Sequence, residues 1–150
     1  MTQSLSNVLL HIVFSTKHRW DIIEPTGIRR LHAYVGGTCR ALGSPAIQIG
    51  GTSNHIHVGC TLPRTMTIAG LVEKIKTSSS AWMKTIGGGC KDFAWQSGYG
   101  AFSIGTSQAE RLCRYIETQQ EHHRKRTFEE EFLDLLHRYQ VEYDERYLWD

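Results

Sequence analysis

The stretch SNHIHVGCT, residues 53–61, decides how the rest of the chain is interpreted. Residues i and i+2 of a β-strand point to the same face of its sheet. We therefore expect His55 and His57 to project side by side, while Ile56 and Val58 face a core on the other side. Two neighbouring imidazoles can bind one divalent metal ion. The alternative is that both histidines are half-exposed polar residues of an ordinary strand.

The segments around this stretch predict the split βαβ, or ferredoxin-like, order of elements. Strands are expected at 7–14, 46–50, 55–62 and 99–104, and helices at 25–42, from Thr67 to the glycines at 87–89, at 108–123 and from Thr127 onwards. With right-handed crossovers, the first two helices cover one face of a four-stranded antiparallel sheet. The predicted class is therefore α+β, with C-terminal helices added, and the second sheet face is left for a ligand, a partner or a further helix.

The last two helices are each expected to begin at a capping box, in which a Ser or Thr and a Glu three residues later cap the first turn. The two boxes are Ser107 with Glu110 and Thr127 with Glu130. The helix after the second box has an apolar stripe, and residues 140–150 form an extended tail whose Tyr143, Tyr147, Leu148 and Trp149 are expected to be buried. We interpret residues 1–150 as one domain, with 127–150 as an acidic C-terminal helix and tail.

Charge is divided unevenly along the chain. Residues 1–126 contain 15 Lys and Arg against 7 Asp and Glu, whereas residues 127–150 contain 2 against 8. A basic body with an acidic tail is typical of proteins that bind polyanions, although such a tail can also simply pack on the basic body. The basic residues that we expect to contact nucleic acid are Lys17, Arg19, Arg64, Lys74 and Lys76.

Composition points to a globular protein that does not enter a membrane. Hydrophobic residues make up 40% and charged residues 21% of the chain, and no apolar run approaches the ~20 residues of a membrane helix. The N-terminal residues lack the basic-then-apolar layout of a signal peptide. Because the four cysteines are widely spaced and form no Cys-x-x-Cys pair, we expect reduced thiols and a cytoplasmic, nucleoid-associated protein.

A second polar group lies on the helix expected at 108–123. Tyr115 and Gln119 are four residues apart, which places their Cβ atoms roughly 5–6 Å apart on one face. A phenol is a poor nucleophile at its ordinary pKa of about 10, and a cation beside a target phosphate favours the phenolate. The alternative is a core-edge tyrosine with a hydrated hydroxyl. His122 and His123, followed by three basic residues, are interpreted as a basic helix end that complements the helix dipole.

Together these motifs resemble the HUH endonucleases. His55-Ile56-His57 fits the histidine–hydrophobic–histidine signature, and Tyr115 with Gln119 resembles the nucleophile helix of the single-tyrosine HUH transposases of the insertion-sequence 200/605 family. The resemblance covers nearly the whole chain and extends to residues 14–17, 95–103 and 128–132. The order and separation of the motifs carry it, because neither short motif is specific alone.

The resemblance implies a metal-dependent transposase that cleaves and rejoins single-stranded DNA at imperfect hairpin ends. His55, His57 and Gln119 would bind Mg²⁺ or Mn²⁺, with the adjacent glutamine as the alternative third ligand. Tyr115 would attack a phosphodiester, leaving a 5′-phosphotyrosine link and a free 3′-hydroxyl. The resemblance also implies a homodimer without an organic cofactor, in which the tyrosine helix of one chain can complete the site of the other. Asn54 departs from the pattern, since many relatives have an acidic residue there.

Three other functions are compatible with the same residues. A domesticated relative would cleave hairpin DNA without moving an element. A non-catalytic nucleic-acid-binding module would use the open sheet face, where Tyr99 and Phe102 offer stacking surfaces. A zinc hydrolase built on His-x-His would need further His or Asp ligands at strand ends, and the sequence offers no convincing ones.

Overall fold

The structure is a computed structural model that describes residues 2–86 and 90–150. Within these residues the chain forms four strands and five helices. The strands are β1 (Leu9–Ser15), β2 (Ala46–Thr52), β3 (His55–Thr61) and β4 (Gly100–Ile104). The helices are α1 (Pro25–Ala41), α2 (Ile68–Met83), α3 (Ala109–Glu117), α4 (Gln119–His122) and α5 (Phe128–Arg138). In this part of the chain no helix is long and apolar enough to cross a membrane.

The strands form one antiparallel sheet in the order β2-β3-β1-β4, which is the ferredoxin-like order. Residues Ile12 and Phe14 of β1 and Ile56 and Val58 of β3 are fully buried on one face, in a core shared with α1 and α2. The predicted α+β class is confirmed, and the alternation of apolar and polar residues in β3 has the predicted phase.

The other face of the sheet is covered by α3, α4 and α5. A second apolar cluster joins Val13 and Phe102 of the sheet to Phe128, Phe132 and Leu135 of α5. The capping box that was expected to open α5 is present, because the backbone N–H of Glu130 donates to Thr127 Oγ1 and the backbone N–H of Thr127 donates to the Glu130 carboxylate. The acidic C-terminal segment therefore packs on the basic body.

The segment that carries Tyr115, formed by α3 and α4, differs from the expected single helix at 108–123. A 3₁₀ turn at Thr106–Gln108 precedes α3, and α3 has no side-chain cap, so the capping box expected at Ser107 is wrong. The helix also breaks at Thr118, where φ is −98° and ψ is 20°. The Thr118 hydroxyl donates to the carbonyl oxygen of Arg114 at 2.9 Å, a local bond that competes with helix continuation.

Two further boundaries differ from expectation. Helix α2 ends at Met83, and the Thr85 hydroxyl donates to the Trp82 carbonyl in the turn that follows, so the helix does not reach Ile86. The glycines at 87–89 that were expected to end it lie outside the described residues. In the C-terminal tail Leu148 and Trp149 pack against α5, but Tyr143 is 36% and Tyr147 is 66% exposed, so the prediction that these two tyrosines are buried is wrong.

Helix α3 lies directly on β2 at Gly50, where an added Cβ would overlap the carbonyl oxygen of Ile116. We expect Gly50→Ala to push α3 off the sheet, to displace Tyr115 and to lower the free energy of unfolding by about 1–3 kcal/mol. Urea unfolding measures this loss. Gly36→Ala in α1 is the matched control, because its Cβ would meet only Ile49 Cδ1, at 3.6 Å. Equal stability of the two variants would contradict the prediction.

Candidate active site

His55 and His57 lie side by side on β3, beneath the layer formed by α3, α4 and α5. Both are 0% exposed, so the alternative of two half-exposed strand histidines is wrong. Buried imidazoles require hydrogen-bond or metal partners, because burying an unpaired polar group costs free energy. The partners of the two rings come from the loops and helices that cover this face.

Four side chains place nitrogen and oxygen atoms that can bind a metal ion close together, between β3 and the covering helices. His55 Nε2 lies 3.0 Å from Gln119 Oε1, and His57 Nε2 lies 3.1 Å from Glu131 Oε1. One ligand atom from each of His55, His57 and Glu131 lies within 4.8 Å of the other two. Gln119 is 1% exposed and points inward, whereas Gln120 is exposed. The glutamine four residues after Tyr115 is therefore the one brought to the histidines.

The hydrogen bonds of His55 leave a lone pair at the centre of this group. The Thr52 hydroxyl donates to Asn54 Oδ1 at 3.1 Å, so both oxygens can accept from His55 Nδ1, at 3.0 and 2.8 Å. Burial, followed by the neighbouring His57, lowers the pKa of His55 to about 3, so the ring is neutral at pH 7. Its Nε2 then carries a lone pair that faces the Gln119 oxygen without a hydrogen between them.

His123 approaches the same group from the other side. Its Nδ1 lies 3.0 Å from the Arg126 carbonyl oxygen, which can only accept, so Nδ1 donates. Its Nε2 lies 3.0 Å from both Gln119 Oε1 and Glu131 Oε1. The nitrogens and oxygens of these side chains therefore surround a position that a cation can occupy. Imidazole nitrogens together with carboxylate and amide oxygens fit a divalent metal ion, and Mg²⁺ and Mn²⁺ favour the oxygens.

Tyr115 reaches the same group through Glu131. The Tyr115 hydroxyl donates to Glu131 Oε2, while Oε1 of the same carboxylate faces the histidines. Burial, together with the charge and hydrogen bond of Glu131, raises the pKa of Tyr115 above its usual value, so the side chain is a phenol. Burial works to raise the pKa of Glu131 as well, but the hydrogen bonds of His123 and His57 outweigh it and hold that pKa well below its usual range.

Sequence reasoning missed Glu131 and His123. Glu131 was counted with the acidic tail, and His123 with a basic helix end. A signal for Glu131 exists, because it lies three residues after Phe128 and four before Leu135, in the middle of the apolar face of α5. A carboxylate at such a position has to be paired.

The five basic residues expected to contact nucleic acid are not brought together. Arg19 lines a cleft of about 870 Å³ beside the site, next to Asn54 and His123, where Glu129 and Glu130 also contribute negative charge. Lys17, Arg64 and Lys74 are exposed but are not among the residues that line this cleft, and Lys74 lies on α2, behind the sheet. DNA contact by these residues stays a prediction.

Lys76 has an internal role. Its Nζ donates to the backbone carbonyls of Gln96, Ser97 and Gly98, at 2.8, 3.2 and 2.7 Å. We expect Lys76→Met to lower the free energy of unfolding by about 1–3 kcal/mol, since three carbonyls lose their donor. Lys74→Met on the same helix is exposed and should leave stability unchanged. Urea unfolding compares the two, and equal stability would show that the three contacts are unimportant.

Asn54 supports His55 with a neutral amide oxygen. A carboxylate in that position makes a histidine a stronger metal ligand. We therefore expect Asn54→Asp to tighten the binding of Mn²⁺ about tenfold, and Asn54→Ala to weaken it to a similar extent. Isothermal titration calorimetry measures both affinities. Unchanged affinity in the two variants would separate Asn54 from the metal-binding function.

A second cleft, of about 720 Å³, opens at Tyr115 and is called the tyrosine cleft here. Its other lining residues are mostly basic: Glu121, His122, Arg124, Lys125, Arg126 and Arg138. Among the described residues, the buried Nδ1 of His122 has no hydrogen-bond partner. The tyrosine cleft therefore offers positive charge beside Tyr115, and the ring centroids of Tyr115 and His122 lie 5.1 Å apart.

Comparisons with known proteins find relatives in fold and in sequence family. Two solved structures share the fold. One is a candidate transposase from Deinococcus radiodurans R1, 16% identical, with a TM-score of 0.58 over 79% of this chain and 98% of that chain. The other is a REP-associated tyrosine transposase bound to a REP hairpin, 15% identical, with a TM-score of 0.57 over 79% of this chain and 72% of that chain. At these identities the likeness concerns the fold alone.

The family comparison covers most of the chain. A search of curated proteins finds no significant match. Residues 4–119 match the family model described as "Transposase IS200 like". The matched region includes His55, His57, Tyr115 and Gln119, and it ends before α5. On this match over more than half of its length, the chain belongs to the IS200-like transposase family.

Proposed function

We propose that this transposase cleaves and rejoins single-stranded DNA at hairpin ends, using Tyr115 as the nucleophile. In this proposal a divalent metal ion is held by His55, His57, Gln119 and Glu131. The observation that carries the proposal is the Glu131 carboxylate, which accepts the Tyr115 hydroxyl on one oxygen and faces the candidate ligands with the other. Nucleophile and metal site are thereby joined through one side chain.

The proposed reaction begins with attack of Tyr115 Oη on the phosphorus of a phosphodiester. The bond from phosphorus to the 3′-oxygen breaks, the 3′-oxygen leaves with a proton from solvent, and the 5′-phosphate stays bonded to Tyr115. The phenol proton is lost to solvent, while Glu131 Oε2, which already accepts the hydrogen bond of Tyr115, orients the hydroxyl. A bound Mg²⁺ or Mn²⁺ would neutralise charge on the phosphoryl oxygens and favour the phenolate.

Rejoining is the reverse of this attack. A DNA 3′-hydroxyl loses its proton to solvent and attacks the phosphorus, the bond from phosphorus to Tyr115 Oη breaks, and the released phenolate takes up a proton from solvent. Because the phosphotyrosine keeps the energy of the ester bond that was cleaved, rejoining needs no ATP. A raised pKa in the resting site suits this scheme, since Tyr115 is reactive only when the phosphate and the metal ion are both present.

The tyrosine cleft is the proposed path of the DNA strand. Arg124, Lys125, Arg126 and Arg138 line it, and phosphate groups are recognised by such side chains. Arg126 and Arg138 also contact Asp134, at 3.7 and 3.1 Å, but partly exposed ion pairs of this kind are worth little and can be exchanged for phosphate.

Hairpin DNA is proposed as the substrate because the fold is shared with a REP-associated tyrosine transposase bound to a REP hairpin. Tyr115 and the histidines meet within one chain, so this proposal does not need a second subunit to complete the site. The homodimer implied by the resemblance stays a prediction, which sedimentation of the purified protein would test.

The experiment uses a library of single-stranded DNA hairpins, each labelled at the 5′ or the 3′ end, with Mg²⁺ or Mn²⁺. We expect a protein–DNA adduct that survives denaturation and carries only the 3′ label, because the 5′-phosphate of the downstream fragment is bonded to Tyr115. The 5′-labelled strand should be released as a shorter fragment with a 3′-hydroxyl. A chelator should abolish both products. Tight hairpin binding without an adduct would instead favour a non-catalytic module.

A further inference from the structure

We infer that His11 is a positioning residue for the metal site: its imidazole is the hydrogen-bond partner that orients His57 and places the ring proton of His57 on Nδ1. The inference rests on the proposed function, in which His57 Nε2 binds the metal ion. Nothing in the tyrosine or histidine motifs points to His11, which lies in the apolar run of β1.

The contact between the two rings is close and buried. His11 Nε2 lies 2.7 Å from His57 Nδ1, and the rings stack with centroids 5.0 Å apart and an interplanar angle of 25°. In the β1–β3 register His11 stands opposite Gly59 and Val13 opposite His57, so His11 and His57 are diagonal neighbours on one sheet face. His11 is 1% exposed. Water therefore has little access to this hydrogen bond.

The two nitrogens of His57 have different partners, and this difference assigns their roles. Nε2 faces Glu131 Oε1 in the candidate metal site, so a bound metal ion requires the lone pair on Nε2. The ring proton then has to lie on Nδ1, whose hydrogen-bond partner among the described residues is His11 Nε2. His11 Nε2 must accept this proton's hydrogen bond, which leaves the ring proton of His11 on its Nδ1.

His11 takes the place that a carboxylate or a backbone carbonyl occupies beside most metal-binding histidines. A neutral imidazole is a weaker acceptor than a carboxylate, but it offers His57 Nδ1 a hydrogen-bond acceptor in the same position. His11 also lines a cavity of about 340 Å³ together with Gln108 and Arg138. The His11 ring therefore borders a cavity as well as the buried metal site.

A packing role for His11 has to be separated from this positioning role. The His11 ring also makes edge contacts with Phe102 and Tyr115, with centroids 6.0 and 5.9 Å away. His11→Phe keeps the ring and these contacts but removes the hydrogen bond. His11→Gln removes the ring but offers an amide oxygen to the N–H of His57. The two variants therefore divide the two roles between them.

The measurement is the affinity of the full-length protein for Mn²⁺, followed by electron paramagnetic resonance. We expect His11→Phe to weaken binding about 10–100-fold and His11→Gln to retain most of the wild-type affinity. His32→Phe is the matched control, because His32 lies on α1, on the opposite side of the sheet, and should leave the affinity unchanged. Wild-type affinity in His11→Phe would overturn the inference, and so would equal weakening by the phenylalanine and glutamine variants.

A second measurement needs no variant. In ¹⁵N-histidine NMR of the Mg²⁺-loaded wild type, His57 Nδ1 should be protonated and coupled across the hydrogen bond to His11 Nε2. A proton on His57 Nε2 in that state would overturn the inference while leaving the cleavage chemistry of Tyr115 intact. Failure of the wild type to bind either metal ion would overturn the proposed metal site, and the role of His11 with it.

Discussion

Tyr115→Phe should abolish the covalent protein–DNA adduct and lower the rate of strand cleavage by at least about 10⁴-fold, as expected when an enzyme loses its nucleophile. The substitution removes one oxygen atom and keeps the ring that packs against His57 and His122. Folding and hairpin affinity should therefore be retained. The rates are measured with end-labelled hairpin DNA, under conditions in which the wild type turns over once.

Tyr139→Phe is the matched control for this substitution. Tyr139 stacks on Phe102, with ring centroids 4.6 Å apart, and has no part in the proposed chemistry. The Tyr139→Phe variant should cleave DNA at the wild-type rate. An adduct that persists in Tyr115→Phe would show that another side chain is the nucleophile, whatever the structure suggests about Tyr115.

Glu131→Ala should lower both metal affinity and cleavage, the latter by roughly 10³-fold, which corresponds to about 4 kcal/mol of transition-state stabilisation. The alanine variant removes the carboxylate that faces His57 and His123 and that accepts the Tyr115 hydroxyl. Glu131→Gln keeps the shape and one acceptor oxygen but not the charge, so its defect should be smaller. Mn²⁺ titration and single-turnover cleavage measure the two effects separately.

Glu129→Ala is the matched control on the same helix. Its carboxylate lies 3.7 Å from Arg19 at a partly exposed position, and such pairs contribute little. The Glu129→Ala variant should bind Mn²⁺ with the affinity of the wild type. If Glu131→Ala retained full Mn²⁺ affinity and lost only cleavage, Glu131 would act on Tyr115 without being a ligand.

Local periodicity explains which parts of the site could be predicted from the sequence. The side-by-side placement of His55 and His57 follows from the two-residue repeat of a strand, and it is independent of what lies above the sheet. Tyr115 and Gln119 could be paired in the same way from helical spacing. The break at Thr118 was not predicted, because a threonine hydroxyl can cap a carbonyl within a helix as well as at its end.

Long-range contacts explain what could not be predicted. The His57–Glu131 contact joins residues 74 positions apart, and local propensity does not specify which helix returns to the sheet. Counting charged residues along the sequence also gives no information about long-range contacts. It identified Lys76 as cationic, but it could not show that three carbonyls of one loop converge on its ammonium group.

Glu131 lies beyond the residues 4–119 that match the family model, and this affects how intact copies of such genes are identified in genomes. A gene copy with a stop codon just before Thr127 would still encode His55, His57, Tyr115 and Gln119, and so would pass every motif test for membership. Its product would nevertheless lack α5, the side chains that seal the open sheet face, and the carboxylate proposed to serve the nucleophile. Surveys that score intactness on the matched region alone would therefore record relics of this type as functional elements.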